Sequence, residues 1–493
     1  MNSLIEQAND ALQTLASQMN PRFYPHFHLA PPAGWMNDPN GLIFYRGLYH
    51  AFYQHHPYDE NWGPMHWGHA TSQDMLSWQH QPIALAPGDS WDKDGCFSGC
   101  AVDDKGVLSL IYTGHVWLKG EGDDSAIREV QCLATSQDGI HFTKQGVVLT
   151  PPEGIMHFRD PKVWFEDGYW WMVIGARDAQ DHGQVLLYRA SSLRQWQFIQ
   201  VLARADDGMG YMWECPDFFP MGNERMLMFS PQGLTAKGYR NRNLFQSGVL
   251  RGKWQPGTDF TPSQPFTELD HGHDFYAPQS LLTPDGRRVI IGWMDMWQSP
   301  MPTKADNWCG CLSLPRELSL DPQGLLLMQP VREVETLRQT AQPIAPMTKG
   351  QPRQFLAENC RSMELQLKWD CATSDAERYG FQLGEGQGNG GRVSVYVDNQ
   401  ANRLILERHY PQHDLTGYRS VSLPESGLLS LRVFIDSSSL EVFINDGQAC
   451  MSSRIYPAEH ERCLSLFAEN GQAQLLEGKF WRLGTHLHHE IAM

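Results

Sequence analysis

Charge is what this 493-residue chain has little of. Asp, Glu, Lys and Arg together make up 19% of it, below the roughly 25% usual in soluble domains. Positive charge is the scarcer sign. The 39 Lys and Arg stand against 56 Asp and Glu, a net of −17, so no basic face is broad enough to make nucleic acid or an anionic membrane a partner. Long apolar runs are missing too, and none approaches the roughly 18 residues that span a bilayer. No Asn-x-Ser/Thr sequon occurs. The opening MNSLIEQANDALQTLASQMN carries Glu6 and Asp10 where a secretory signal would be uniformly apolar. Ten cysteines in this length make no disulfide framework of the kind short secreted chains use. Cys309-Gly310-Cys311 lacks the second ligand pair of a zinc site. These absences predict a cytoplasmic protein that uses no metal.

What is present is apolar and aromatic. Hydrophobic residues reach 41%, which provides a large core and excludes general disorder. The 17 Trp, 16 Tyr and 22 Phe suggest flat ring platforms as well as core packing. Helical spacing is confined to residues 1–20, where Leu4, Ala8, Ala11, Leu12, Leu15 and Met19 share a face and Ser3 with Glu6 reads as a capping box. That predicts one helix packed on the outside. Afterwards come short alternating runs separated by Gly, Pro, Asp and Asn, such as GLIFYRGLYHAFYQ (41–54), VLSLIYTG (107–114), YWWMVIGA (169–176) and RVIIGWMD (288–295). This is an all-β pattern.

Two weak repeats run through it. Turns followed by an aromatic start at residues 72, 136, 191 and 247. Polar clusters, most of them with a proline, are anchored at Asp38, Ser98, Asp160, Asp217 and Asp274, spaced 60, 62, 57 and 57 residues apart. A period of this size filled with four short strands is one propeller blade. Five clusters in phase predict a five-bladed β-propeller over residues 21–338, with all five converging on its central channel. Proline beside four of the clusters fits a sheet rim. The proline-rich stretch over 339–355 reads as a linker. Residues 356–493 alternate again, with turns every 8–15 residues, which predicts a β-sandwich. Gly384-x-Gly386-x-Gly388-x-Gly390-Gly391 is followed by no helix, so it reads as a hairpin loop and not as a nucleotide cradle. No cofactor is predicted.

Three clusters bring carboxylates to the channel: Asp38, Asp160 and Glu214. Glycoside hydrolysis needs two carboxyl groups flanking the scissile bond, one to attack or activate water and one to protonate the leaving oxygen. Asp38 has the amides Asn37 and Asn40 beside it, whose bonds would hold it ionised as a nucleophile requires. Glu214 lies among Tyr211, Trp213, Phe218 and Phe219, where desolvation would keep it protonated as a general acid requires. Arg159 beside Asp160 should hold that acid charged at the sugar ring.

WMNDPNG around Asp38, FRDP (158–161) and ECPD (214–217) resemble the three signature motifs of glycoside hydrolase family 32, the invertase and fructan hydrolase family. Gln54 in FYQHHP, Trp62 in NWGPMHWGH, Phe97-Ser98 in GCFSG and SLEVFINDG (439–447) extend the resemblance over roughly residues 22–480. It implies a five-bladed propeller with a C-terminal sandwich, and hydrolysis of β-fructofuranosides with retention. By motif, Asp38 would be the nucleophile, Glu214 the acid/base and Asp160 the transition-state stabiliser. Asn37, Gln54, Trp62, Phe97, Ser98 and Arg159 would line the fructose pocket, with Asp270 and Trp293 near the glucose side. In some members an acid and a lysine act together there; here His273 stands where the lysine would be. Two alternatives stay open: an inverting five-bladed glycosidase, for example on arabinosides, and a non-catalytic sugar-binding propeller. The expected partner is a small sugar, with sucrose a good substrate and its 6-phosphate accepted but not required. Lys237, Arg240 and Arg242 are the cations that could face a phosphate from the rim, although a solvated loop accounts for them better. His486, His488, His489 and Glu490 read as a solvated tail.

Overall fold

Alternating runs joined by short turns pair with their sequence neighbours, because the preceding strand is the nearest free edge. The computed structural model describes residues 3–384 and 388–484. The tail cluster from His486 to Glu490, and Gly386 of the glycine-rich loop, lie outside these. Five antiparallel meanders follow one another. The first runs Gly34–Tyr45, Leu48–His56, His66–Ser72 and Trp78–His80. The second has Gly95–Asp104, Val107–Trp117, Ile127–Ser136 and Thr143–Leu149. The third has Phe158–Glu166, Tyr169–Arg177, Gly183–Ala190 and Trp196–Arg204. In the fourth, Met212–Met221, Glu224–Gln232 and Gly248–Lys253 are followed by two two-residue strands, Thr261–Pro262 and Thr267–Glu268, on one edge. The fifth has Tyr276–Leu282, Arg288–Trp293, Arg316–Leu320 and Leu326–Pro330. The first strand of each blade touches the first strand of the next around the ring. Trp308–Cys309 closes the circle, pairing in parallel with Gly34 and Trp35. The fold is a five-bladed β-propeller.

The in-phase polar clusters are a repeated β-bulge. In the first blade Asn37 and Asp38 together oppose Gln54, and in the second Ser98 is the extra residue. In the third, fourth and fifth blades the extra pairs are Asp160-Pro161, Cys215-Pro216 and Ala277-Pro278. Asp160, Cys215 and Ala277 all have positive φ, 70°, 48° and 53°. A bulge unpairs one residue and swings it out of the ladder, which is also why proline is tolerated there. The freed N–H groups find side-chain acceptors in the preceding blade. Asp160 donates to Thr113 Oγ1 at 3.1 Å, Cys215 to Asp160 Oδ2 at 3.0 Å and Ala277 to Ser247 Oγ at 3.1 Å.

The helix Leu4–Ala16 carries the capping box of Ser3 and Glu6 and buries Ala8 and Leu12 against Ala33 and Ile83 of the propeller. Beyond the propeller two six-stranded sheets face each other over a common apolar core. The stretch expected to be a plain linker is corrected here: Gln342–Pro343 pairs with Phe480 and Lys479, and Arg353–Ala357 pairs along Leu464–Phe467. Both are outermost strands, where a missing proline N–H costs no ladder bond.

The two domains are joined by buried ion pairs. Arg316 bonds Asp270 at 2.9 Å and Glu441 at 2.7 Å, with none of the three side chains exposed. His28 lies between Asp436, at 2.7 Å, and Glu441. Arg408 pairs with Asp274 at 2.8 Å and Arg454 with Asp295 at 3.1 Å.

Candidate active site

Bulges in the first, third and fourth blades bring Asp38, Asp160 and Glu214 to one cavity of about 350 Å3, within the size range of small-molecule sites. Asn37, Gln54, Trp62, Phe97, Ser98 and Arg159 line it as well. Asp38 is nearly enclosed. Its carboxylate accepts from Ser98 Oγ at 2.8 Å, from Asn37 Nδ2 at 3.1 Å and from the Cys215 thiol at 3.4 Å. The same thiol reaches Asp160 at 3.5 Å, so one sulfur spans two of the acids. Trp35 Nε1 donates to Asn37 Oδ1 at 2.8 Å and sets that amide's nitrogen toward Asp38.

The electrostatics depart from the sequence reading. Burial, and next the charge of Glu214, push Asp38 up to about 6, while the bonds from Ser98, Asn37 and Cys215 pull the other way. Burial and Glu214 likewise hold Asp160 well above the ordinary carboxylate range, with Arg159 opposing. The amide cradle around Asp38 is thinner than expected because Asn40 turns away, donating to Pro39 O at 2.8 Å and accepting from Gln54 at 2.9 Å. Burying acids together costs more than these few bonds return.

Arg159 does not pair with Asp160. Its guanidinium donates to Glu214 Oε2 at 2.8 Å and to Glu129 Oε1 at 3.1 Å. Arg159 and Asp160 both line the cavity, but the guanidinium hydrogen-bonds to acids of the neighbouring blades and not to the acid next to it in sequence. Nor does Glu214 sit among apolar groups alone. Besides Arg159 it accepts from Tyr276 Oη at 2.7 Å and Gln232 Nε2 at 2.9 Å.

Two expected glucose-side residues lie elsewhere. Asp270 is spent on Arg316 and Ser452 in the domain seam, where a buried guanidinium needs a counter-charge. Trp293 is fully buried behind the cavity, 6.1 Å from Trp35 and 4.9 Å from Trp297, and it is Trp297 that lines the cavity. His273 is buried too, its Nδ1 3.1 Å from Ser453 Oγ of the sandwich. Lys237 and Arg240 line a separate groove between the propeller and the sandwich, and Arg242 donates to Gly238 O at 2.6 Å.

Several cavity residues escaped the sequence reading: His115, Trp117, Glu129, His157, Arg177, Gln232 and Phe245. Tyr276, whose hydroxyl meets Glu214, was missed as well. For Tyr276 a signal existed. Aligned on their prolines, Arg159, Glu214 and Tyr276 hold the same position, one residue ahead of the bulge. Glu129 was legible only as one polar residue of the strand IREVQCLATS.

The chain matches the Glycosyl hydrolases family 32 N-terminal domain over residues 28–330 and the Glycosyl hydrolases family 32 C terminal over residues 333–482. It is 63% identical to a sucrose-6-phosphate hydrolase of Escherichia coli over 98% of this chain and 99% of that one. It is 61% identical to a raffinose invertase of Escherichia coli over 98% of this chain and 100% of that one. Among solved structures it resembles a Bombyx mori GH32 beta-fructofuranosidase, with a TM-score of 0.86, 36% identity and 99% of both chains covered.

Proposed function

The chain belongs to glycoside hydrolase family 32, and from that premise we propose that it hydrolyses sucrose to fructose and glucose by double displacement at Asp38, with retention. It is a glycoside hydrolase of the β-fructofuranosidase type. The observation that carries the reading is the gathering of Asp38, Asp160 and Glu214, from three separate blades, in one cavity. A sugar-binding scaffold would have no use for three converging carboxylates, two of them, Asp38 and Asp160, buried at a cost.

In this reading Asp38 attacks the fructosyl anomeric carbon as Glu214 passes its proton to the glycosidic oxygen, and glucose leaves. Glu214 then takes a proton from water, whose oxygen displaces Asp38 and restores the free carboxylate. Asp160, braced through its backbone by Thr113, accepts bonds from fructose hydroxyls that strengthen as positive charge builds on the ring. Asn37, Gln54, Trp62, Phe97 and Ser98 complete the fructose seat. The fit favours a neutral sugar. The cavity is lined by the acids Asp38, Asp124, Glu129, Asp160 and Glu214 against Arg159 and Arg177, with no lysine. A phosphate dianion would enter a field of its own sign. All ten cysteines are free thiols, in keeping with a reducing cytoplasm.

A kinetic comparison of sucrose with sucrose-6-phosphate tests the substrate, and a higher kcat/KM for the phosphorylated sugar would reject the neutral-sugar reading. Methanolysis tests the stereochemistry: methyl β-fructofuranoside is the expected first product, and the α-anomer would mean inversion.

A further inference from the structure

We infer that Glu129 is a positioning residue of the proton-transfer step, holding Arg159 in a shared pair so that Glu214 can keep a proton and deliver it. The inference rests on the proposed role of Glu214 as acid/base. Glu129 belongs to no signature motif. It lies in the third strand of the second blade, directly across from His115, and is 0% exposed. Its carboxylate accepts from Phe158 N at 3.0 Å, from Arg159 Nη1 at 3.1 Å and from His115 Nδ1 at 3.0 Å. Burial alone would raise it, but Arg159 and then His115 hold it down to about 2. It is a fixed anion.

The consequence falls on Arg159, whose Nε is 2.8 Å from Glu214. A guanidinium paired with Glu214 alone would bind it as a carboxylate, the wrong form for protonating a leaving group. With Glu129 ionised on its other edge, the Arg159–Glu129 pair has no net charge as seen from Glu214. Arg159 still fixes the side chain in place. The remaining groups facing this network do not supply that balance. His157 Nδ1 lies 3.2 Å from Arg159 and is held neutral by burial and by that guanidinium. Gln232 and Tyr276 are uncharged donors to Glu214. Asp38 and Asp160 face Glu214 as well, and Asp160 also faces Arg159, but burial and Glu214 raise both carboxyls, so neither is a fixed anion as Glu129 is. Arg177 is turned to Asp181 at 3.0 Å, and Asp124 meets His157 through its backbone carbonyl at 3.1 Å. A purely structural site would not need this charge, since well-packed apolar groups replace buried ion pairs at little cost.

The test compares Glu129→Gln and Glu214→Gln with the wild type on sucrose and on an aryl β-fructofuranoside, whose leaving group departs without a proton. Glu129→Gln should lower kcat/KM on sucrose about tenfold or more, leave the first step on the aryl substrate within about threefold, and move the alkaline limb of the sucrose profile to lower pH by about half a unit or more. Equal losses on both substrates with an unmoved limb would overturn the inference. Should Glu129→Gln fail to fold, Glu129→Asp carries the test: by loosening the contact with Arg159 it should shift the limb in the same direction by less, and an unmoved limb overturns the inference. Glu214→Gln separates the two ideas. If it also fails to discriminate between the substrates, the acid/base assignment falls first; if it discriminates and the Glu129 variants do not, only the role of Glu129 falls.

Discussion

Asp38 is asked to be both buried and charged, and the two demands oppose each other. Its carboxyl is pushed from an ordinary 3.8 to about 6, so as pH rises the unfolded chain releases this proton first. Stability is therefore lost between about pH 4 and pH 6 and stays lost above. Asp38→Asn removes the charge and keeps the shape. It should melt above the wild type at about pH 8, by a stability difference on the order of 3 kcal/mol, and the difference should vanish below about pH 4. Turnover should fall by several orders of magnitude. Melting curves at both pH values check the first claim, and equal melting at about pH 8 would contradict it. Ser98 supplies the shortest bond to this carboxylate, 2.8 Å. Its loss in Ser98→Ala should raise the pH at which kcat/KM climbs on the acid side by about half a unit to one unit, read from a pH profile on sucrose.

At the scale of single elements the governing device is the bulged first strand. Its sequence signal, a polar cluster every 57–62 residues with a proline in four of the five, was visible because a bulge is local and needs particular residue types. The same strands must also lie close together around the ring. Gly175, paired with Arg159 in the third blade, would place a Cβ 2.1 Å from the backbone oxygen of Trp213, next to Glu214. Gly175→Ala should push the fourth blade's first strand outward, destabilise the protein by about 1–3 kcal/mol and lower kcat more than its distance from the substrate would suggest. Thermal melting and sucrose kinetics check both. A variant with wild-type kcat would show that the strand carrying Glu214 can yield without harm.

For the whole molecule the deciding feature is the charged seam between propeller and sandwich. Burial would lower His28, but Glu441 and Asp436 lift it to about 9 against an ordinary 6.5. The stability this pairing contributes is fully present below about pH 6.5 and is lost as pH rises through about 9. The wild type should lose melting temperature across that window, and His28→Gln should show a flatter profile; parallel slopes would remove His28 from the account. Breaking the seam at Arg316→Met leaves Asp270 and Glu441 buried without their cation, at a cost of about 3–5 kcal/mol measurable by denaturant unfolding. Glu441 belongs to the SLEVFINDG stretch, so that motif's acid serves the joint between the domains.

Strand alternation, the blade period and the in-phase polar clusters were determined by the sequence alone, because each depends on residues a few positions apart. They sufficed for the propeller, the sandwich and the three carboxylates. Partnerships across blades were decided only by the tertiary structure. Arg159 stands beside Asp160 in the chain yet pairs with Glu129 and Glu214, and Tyr276 reaches Glu214 from 62 positions away. Asp270 and Trp293 look like site residues in the chain but are packed into the seam and the wall. A charge settles on the opposite charge nearest in space, and closing the ring, not the order of residues along the chain, decides which one that is.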